Sequence, residues 1–77
     1  MHRLTLYSKP GCHLCDEMKH VIETVAARVP VSMDVIDITT DPELLARYGV
    51  EIPVLLIDGK KVAKYRVSAE ELERRLR

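Results

Sequence analysis

The chain has 77 residues, its 12 lysines and arginines are balanced by 12 aspartates and glutamates, and it lacks tryptophan and phenylalanine. That length holds one domain, residues 1–77, and a domain so small buries only about 60% of its unfolded surface, so it needs an economical core. Zero formal charge removes the electrostatic footprint of a nucleic-acid or anionic-membrane binder, and neither partner is expected.

In chain order, Leu4-Thr5-Leu6-Tyr7 is a short β-prone run, ended by the breaker cluster Ser8-Lys9-Pro10-Gly11. Leu14, Met18, Val21, Ile22, Val25, Ala26 and Val29 then recur at steps of three and four with polar residues between them. This periodicity predicts an amphipathic helix that Pro30 stops. Val31 to Ile38, rich in Val and Ile, reads as a second strand. Asp41-Pro42 is a helix cap with proline at the first helical position. Leu44, Leu45 and Tyr48 supply the apolar stripe of a short helix, and Gly49 closes it. Pro53 introduces the run Val54-Leu55-Leu56-Ile57, Asp58-Gly59 signals a tight hairpin, and Lys61 to Tyr65 returns as the partner strand. Ser68-Ala69-Glu70-Glu71 is a capping box opening a last helix with Leu72 and Leu76 inward. Arg74, Arg75 and Arg77 suit the negative end of that helix's dipole better than a phosphate backbone.

The order β-α-β-α-β-β-α is that of an α/β domain. The first two strands should be parallel through a right-handed crossover, with the final hairpin added antiparallel to the same sheet. A four-stranded mixed sheet with helices on both faces is the economical packing. The longest apolar run, Ile52 to Ile57, falls far short of the roughly 20 residues of a membrane span. The start, Met1 to Tyr7, has no secretory h-region or cleavage site, so a cytoplasmic location is expected.

Cys12 and Cys15 are the only cysteines. So small a ring yields about 2 kcal/mol of loop entropy before strain is subtracted, a poor staple. In a reducing compartment such a pair reads as catalytic or metal-binding. It falls where the first strand hands over to the first helix. There, unpaired N–H groups and about half a positive charge stabilise a thiolate at Cys12. Asp16 opposes this effect and Lys9 favours it. Cys15 lies one turn deeper, on the side of Met18 and Ile22, and should be less exposed. An exposed nucleophile with a shielded resolving thiol is what dithiol exchange needs. A zinc site normally takes four ligands, and no second C-x-x-C is present. His20 would lie about 12 Å farther along the helix axis than Cys12.

The stretch Leu6-Tyr7-Ser8-Lys9-Pro10-Gly11-Cys12-His13-Leu14-Cys15, with Ile52-Pro53-Val54 and Asp58-Gly59-Lys60 downstream, resembles the glutaredoxin branch of the thioredoxin superfamily. It is similar in particular to compact bacterial glutaredoxin-like proteins with a C-H-L-C site. The resemblance spans nearly the whole chain in element order and implies a thioredoxin-like fold. It implies further that Cys12 attacks and Cys15 resolves, and that Lys9 contacts a glutathione moiety. Pro53 would be a cis proline facing the disulfide, and the backbone of Ile52 would pair with the substrate chain. Where the family usually carries Pro-Tyr between the cysteines, this chain has His13-Leu14. Where the family carries Gly-Gly and an acidic residue after the last strand, it reads Tyr65-Arg66-Val67-Ser68.

The implied activity is that of a small thiol–disulfide oxidoreductase, reducing protein disulfides or glutathione mixed disulfides in electron transport. No tightly bound cofactor is expected, and no metal; glutathione would serve as co-substrate. The expected partners are a disulfide-containing protein and a thiol reductant, glutathione or a reductase, acting on a monomer. Two alternatives use the same cysteines: a dimer holding a metal or iron–sulfur cluster, and a non-catalytic thioredoxin-fold interaction module.

Overall fold

The computed structural model describes the whole chain, Met1–Arg77. Its elements are β1 (His2–Ser8), α1 (His13–Ala26), β2 (Val31–Asp37), a 3-10 turn (Ile38–Thr40), α2 (Pro42–Tyr48), β3 (Val54–Ile57), β4 (Lys60–Lys64) and α3 (Ala69–Leu76). The strands form one sheet in the spatial order β2-β1-β3-β4. β1 is parallel to β2 and antiparallel to β3, and β3 and β4 form the antiparallel hairpin. This is the four-stranded mixed sheet expected from the sequence.

β1 decides how the layers are filled. Leu4 and Leu6 are fully buried and pair across the sheet with Ile57 and Leu55. Met18, Ile22 and Val25 of α1 and Leu72 and Leu76 of α3 close over them, so these two helices share one face. Tyr7, out of phase with Leu6, belongs to a second, smaller cluster. There it meets Cys12, Cys15, Ile38 and Ile52 together with Leu44 and Tyr48 of α2. A register irregularity at Leu55/Leu56 leaves Val62 opposite no residue, and both Val62 and Ala63 pack toward the main core.

The hairpin turn is as its sequence requires. Asp58 (φ 50°) and Gly59 (φ 87°) both adopt left-handed conformations, as a two-residue turn between twisted strands demands. The Ser68 hydroxyl accepts from the Glu71 N–H at 3.1 Å, the forward half of the capping box. Asp41 caps α2 by accepting from the N–H groups of Glu43 and Leu44.

Four details of the sequence reading change. α1 ends at Ala26, ahead of Pro30, because proline disfavours helical backbone at Val29; the Val25 carbonyl instead accepts from both Arg28 and Val29 in a tightened turn. Leu14 is not on the buried stripe, which runs Cys15, Met18, Ile22 and Val25. Leu45 is 43% exposed, so α2 packs only through Leu44 and Tyr48. Gly49 ends α2 in a right-handed conformation (φ −54°) rather than a left-handed one. A Cβ there would lie 2.5 Å from the Leu45 carbonyl oxygen, so close approach of backbone selects the glycine. No helix is long and apolar enough to cross a membrane.

Candidate active site

Gly11 takes a left-handed turn (φ 76°) and delivers the chain into α1. Cys12 is the N-cap of that helix, in extended backbone, and its Sγ accepts the Cys15 N–H at 3.1 Å. The sulfur thus sits where a capping oxygen normally does, against the free donors and positive pole of the helix. Cys12 and Cys15 are joined as a disulfide with their Cα atoms 5.2 Å apart. Cys12 is half-buried and Cys15 is 3% exposed, as their helical spacing predicts.

Ile52 packs in the same cluster as the two cysteines, and the Ile52–Pro53 peptide bond is cis. Ile52 and Pro53 are both buried. Neither the N–H nor the carbonyl of Ile52 takes part in a hydrogen bond within the chain. The residues around it are held firmly. The Glu51 N–H donates to the Tyr48 carbonyl at 2.8 Å, and Lys61 Nζ donates to Glu51 Oε1 at 3.1 Å. That bond, with the charge of Lys61, holds the Glu51 carboxyl below its ordinary value. Tyr7 and Tyr48 stack with ring centroids 4.9 Å apart, walling the cluster on the α2 side.

The fold brings Cys12, Cys15 and Ile52 together, with Pro53 following directly. Lys9 stands apart from this cluster. It is exposed and lines a shallow depression on the other flank of Cys15, with Asp16, Lys19 and Asp37. His13 is almost fully exposed and 3.5 Å from Glu17, one helical turn on. Arg66 also points to Glu17, at 4.0 Å. Leu14, displaced from the core, helps line an open groove of about 410 Å³ between α1 and the β4–α3 connection, with Tyr65 and Arg66 on its far wall.

Tyr65, directly after β4, is tied to the segment that carries Ile52 and Pro53 in a way the sequence does not disclose. It has φ 68°, a left-handed conformation that costs a side-chain-bearing residue of order 1–2 kcal/mol. Its N–H donates to the Pro53 carbonyl at 2.8 Å and its hydroxyl donates to the Val50 carbonyl at 3.2 Å. The one sequence signal is that a tyrosine occupies the position after the last strand where the resembling family carries glycine.

Residues 3–77 match the family described as Glutaredoxin-like domain. Over 60 residues the chain is 30% identical to the thioredoxin of Methanocaldococcus jannaschii, a match covering 74% of this chain and 71% of that one. Among solved structures, a structural-genomics target protein from X. campestris is similar with a TM-score of 0.79 at 30% identity, covering 95% of this chain and 93% of the other. A Nitrosomonas europaea protein solved by NMR is similar with a TM-score of 0.85 at 26% identity, covering 99% and 92%.

Proposed function

We propose that this chain, which belongs to the glutaredoxin-like domain family, reduces protein disulfides or glutathione mixed disulfides through Cys12 and Cys15. The observation that carries the proposal is the half-buried Cys12 sulfur at the N-cap of α1, disulfide-bonded to a Cys15 that is 3% exposed.

In the reduced protein, the Cys12 thiolate attacks one sulfur of the substrate disulfide. A mixed disulfide forms, and the other substrate sulfur leaves as a thiolate that takes a proton from water. Cys15 then loses its proton and attacks the Cys12 sulfur, so that the second substrate thiol departs. The substrate gains two electrons and two protons, and the protein ends with the Cys12–Cys15 disulfide. A thiol reductant, glutathione or a reductase, restores it. The helix N-terminus favours Cys12 over the buried Cys15 both as nucleophile and as leaving group. Ile52 offers an N–H and a carbonyl without internal partners, suited to pairing with an extended substrate chain beside the disulfide. Pro53 shapes that edge, and Lys9 meets the anionic end of glutathione from the other flank. The protein works as a monomer in the cytoplasm, where a reducing environment suits a functional rather than structural cysteine pair, and it needs no tightly bound cofactor.

The test is intact-mass analysis after equilibration in glutathione buffers of graded potential. Reversible loss of two hydrogens near about −200 to −230 mV, with glutathione retained on Cys15→Ser, supports glutathione-coupled chemistry. A midpoint near about −270 mV with no adduct moves the reductant to a partner protein. Cys12→Ser is expected to abolish disulfide reduction, and full activity in that variant would end the proposal.

A further inference from the structure

We propose that Tyr65 is a positioning residue: its phenol straps down the Val50–Pro53 segment so that the unpaired backbone of Ile52 is held ready for the substrate chain. The inference rests on the oxidoreductase reading above and names a determinant of substrate affinity within it.

The strap has two attachment points. The Tyr65 N–H donates to the Pro53 carbonyl at 2.8 Å, continuing the β3–β4 ladder by one rung. The Tyr65 hydroxyl reaches back fifteen residues to the Val50 carbonyl at 3.2 Å. These bonds fall on either side of Ile52, whose own N–H and carbonyl have no partner in the chain. Val50 itself is 88% exposed, so side-chain packing does not fix that end of the segment. The phenol does so from across the hairpin, and the Lys64 ammonium, 5.6 Å from the ring centroid, steadies the ring.

The backbone conformation strengthens the case. At φ 68° glycine would be the unstrained choice. A tyrosine there accepts strain, which persists where the surroundings over-determine the conformation. What the side chain gains in exchange is the bond to Val50. The same ring lines the open groove that begins at Leu14, next to Cys15 in α1, so the strap also borders a surface depression next to the site in the chain.

Three proteins test this: the parent, Tyr65→Phe, which removes only the hydroxyl, and Tyr65→Gly, which removes the whole phenol, keeps the N–H to Pro53 and relieves the strain. Insulin serves as the disulfide probe, with dithiothreitol supplying electrons. KM and kcat are separated, while iodoacetamide alkylation of reduced Cys12 reports intrinsic thiol reactivity. Amide hydrogen exchange at Glu51, whose N–H is bonded to Tyr48, reads the segment without any substrate. In Tyr65→Phe, Glu51 exchange is expected to quicken about five-fold, the value of one ordinary hydrogen bond. KM for insulin rises about three- to ten-fold in both variants, alkylation stays at the parental rate, and kcat changes less than KM. An unchanged Glu51 exchange rate overturns the strap whatever the activity. Unchanged KM in an active Tyr65→Phe protein overturns its role in substrate affinity, as does a parental KM in Tyr65→Gly. A parent protein inert toward insulin instead overturns the protein-disulfide arm of the oxidoreductase reading and with it the role in substrate affinity, and the exchange measurement still decides the strap.

Discussion

At Asp58 a single carboxylate serves both the hairpin turn and the start of the neighbouring strand. Its oxygens accept from the Arg3 N–H at 2.9 Å and pair with His2 Nδ1 at 2.6 Å, while the Asp58 N–H donates to the Arg3 carbonyl at 2.8 Å. The Arg3 backbone bond first, and the His2 bond second, hold the carboxyl below its ordinary 3.8. The folded protein therefore binds that proton less tightly than the unfolded chain does. Asp58 adds stability above the unfolded value, and the contribution drains away as pH falls through the folded one. Asp58→Asn keeps a residue that tolerates the left-handed turn but removes the charge. It is expected to melt below the parent at pH 7, with the gap closing as pH drops below 3.8. Melting curves from pH 7 to pH 2 check this, and a gap of constant size would contradict it.

At the scale of elements, α3 depends most on a local device. It has eight residues, too few to be stable alone, yet it delivers Leu72 and Leu76 to the core. The Ser68 cap is what organises its first turn. Ser68→Ala is expected to cost about 1 kcal/mol, measured as a lower urea midpoint with an unchanged slope. α1 uses the same physics differently, because its cap is the Cys12 sulfur, so the start of the helix and the atom proposed to react are one feature. The sequence shows this much plainly: a breaker cluster, a cysteine and then a 3.6-residue period. It also places Cys15 on the side of Met18 and Ile22, as observed, but it assigns Leu14 to the same stripe. Packing leaves Leu14 off that stripe.

Across the whole molecule, stability rests on one face of the sheet. Leu6 is fully buried there, beneath both α1 and α3. Leu6→Ala is expected to cost about 2–5 kcal/mol through lost burial and the cavity left behind. A domain of this length has a total of roughly 4–12 kcal/mol, so the variant stands near the edge of folding. Urea unfolding measures the loss, and a drop under about 1 kcal/mol would mean that the helices collapse onto the vacated space. The opposite face is filled mainly at one end, where Tyr7, Tyr48 and Ile52 gather against the cysteines. The cysteine pair thus belongs to the small cluster, Cys15 within it and Cys12 packed against it, apart from the large core.

The sequence by itself determined the element order, the parallel and antiparallel pairings, the hairpin turn, both N-caps around the short helices and the placement of the cysteine pair. These depend on periodicity, on turn chemistry and on residues adjacent in the chain, all of which are written locally. The cis bond before Pro53 became legible only through family resemblance, since an isolated proline favours trans. Tertiary structure alone decided what contacts arise across long separations. It set Ile52 against Cys12 and Cys15, stacked Tyr7 on Tyr48, left Lys9 on the far flank, and tied Tyr65 back to Val50. No periodicity carries such information, because each contact depends on how the sheet aligns segments that are tens of residues apart or meet across a turn. The strained backbone of Tyr65 belongs to the same class: its φ is imposed by the hydrogen bonds it makes, not by the residue's own preference.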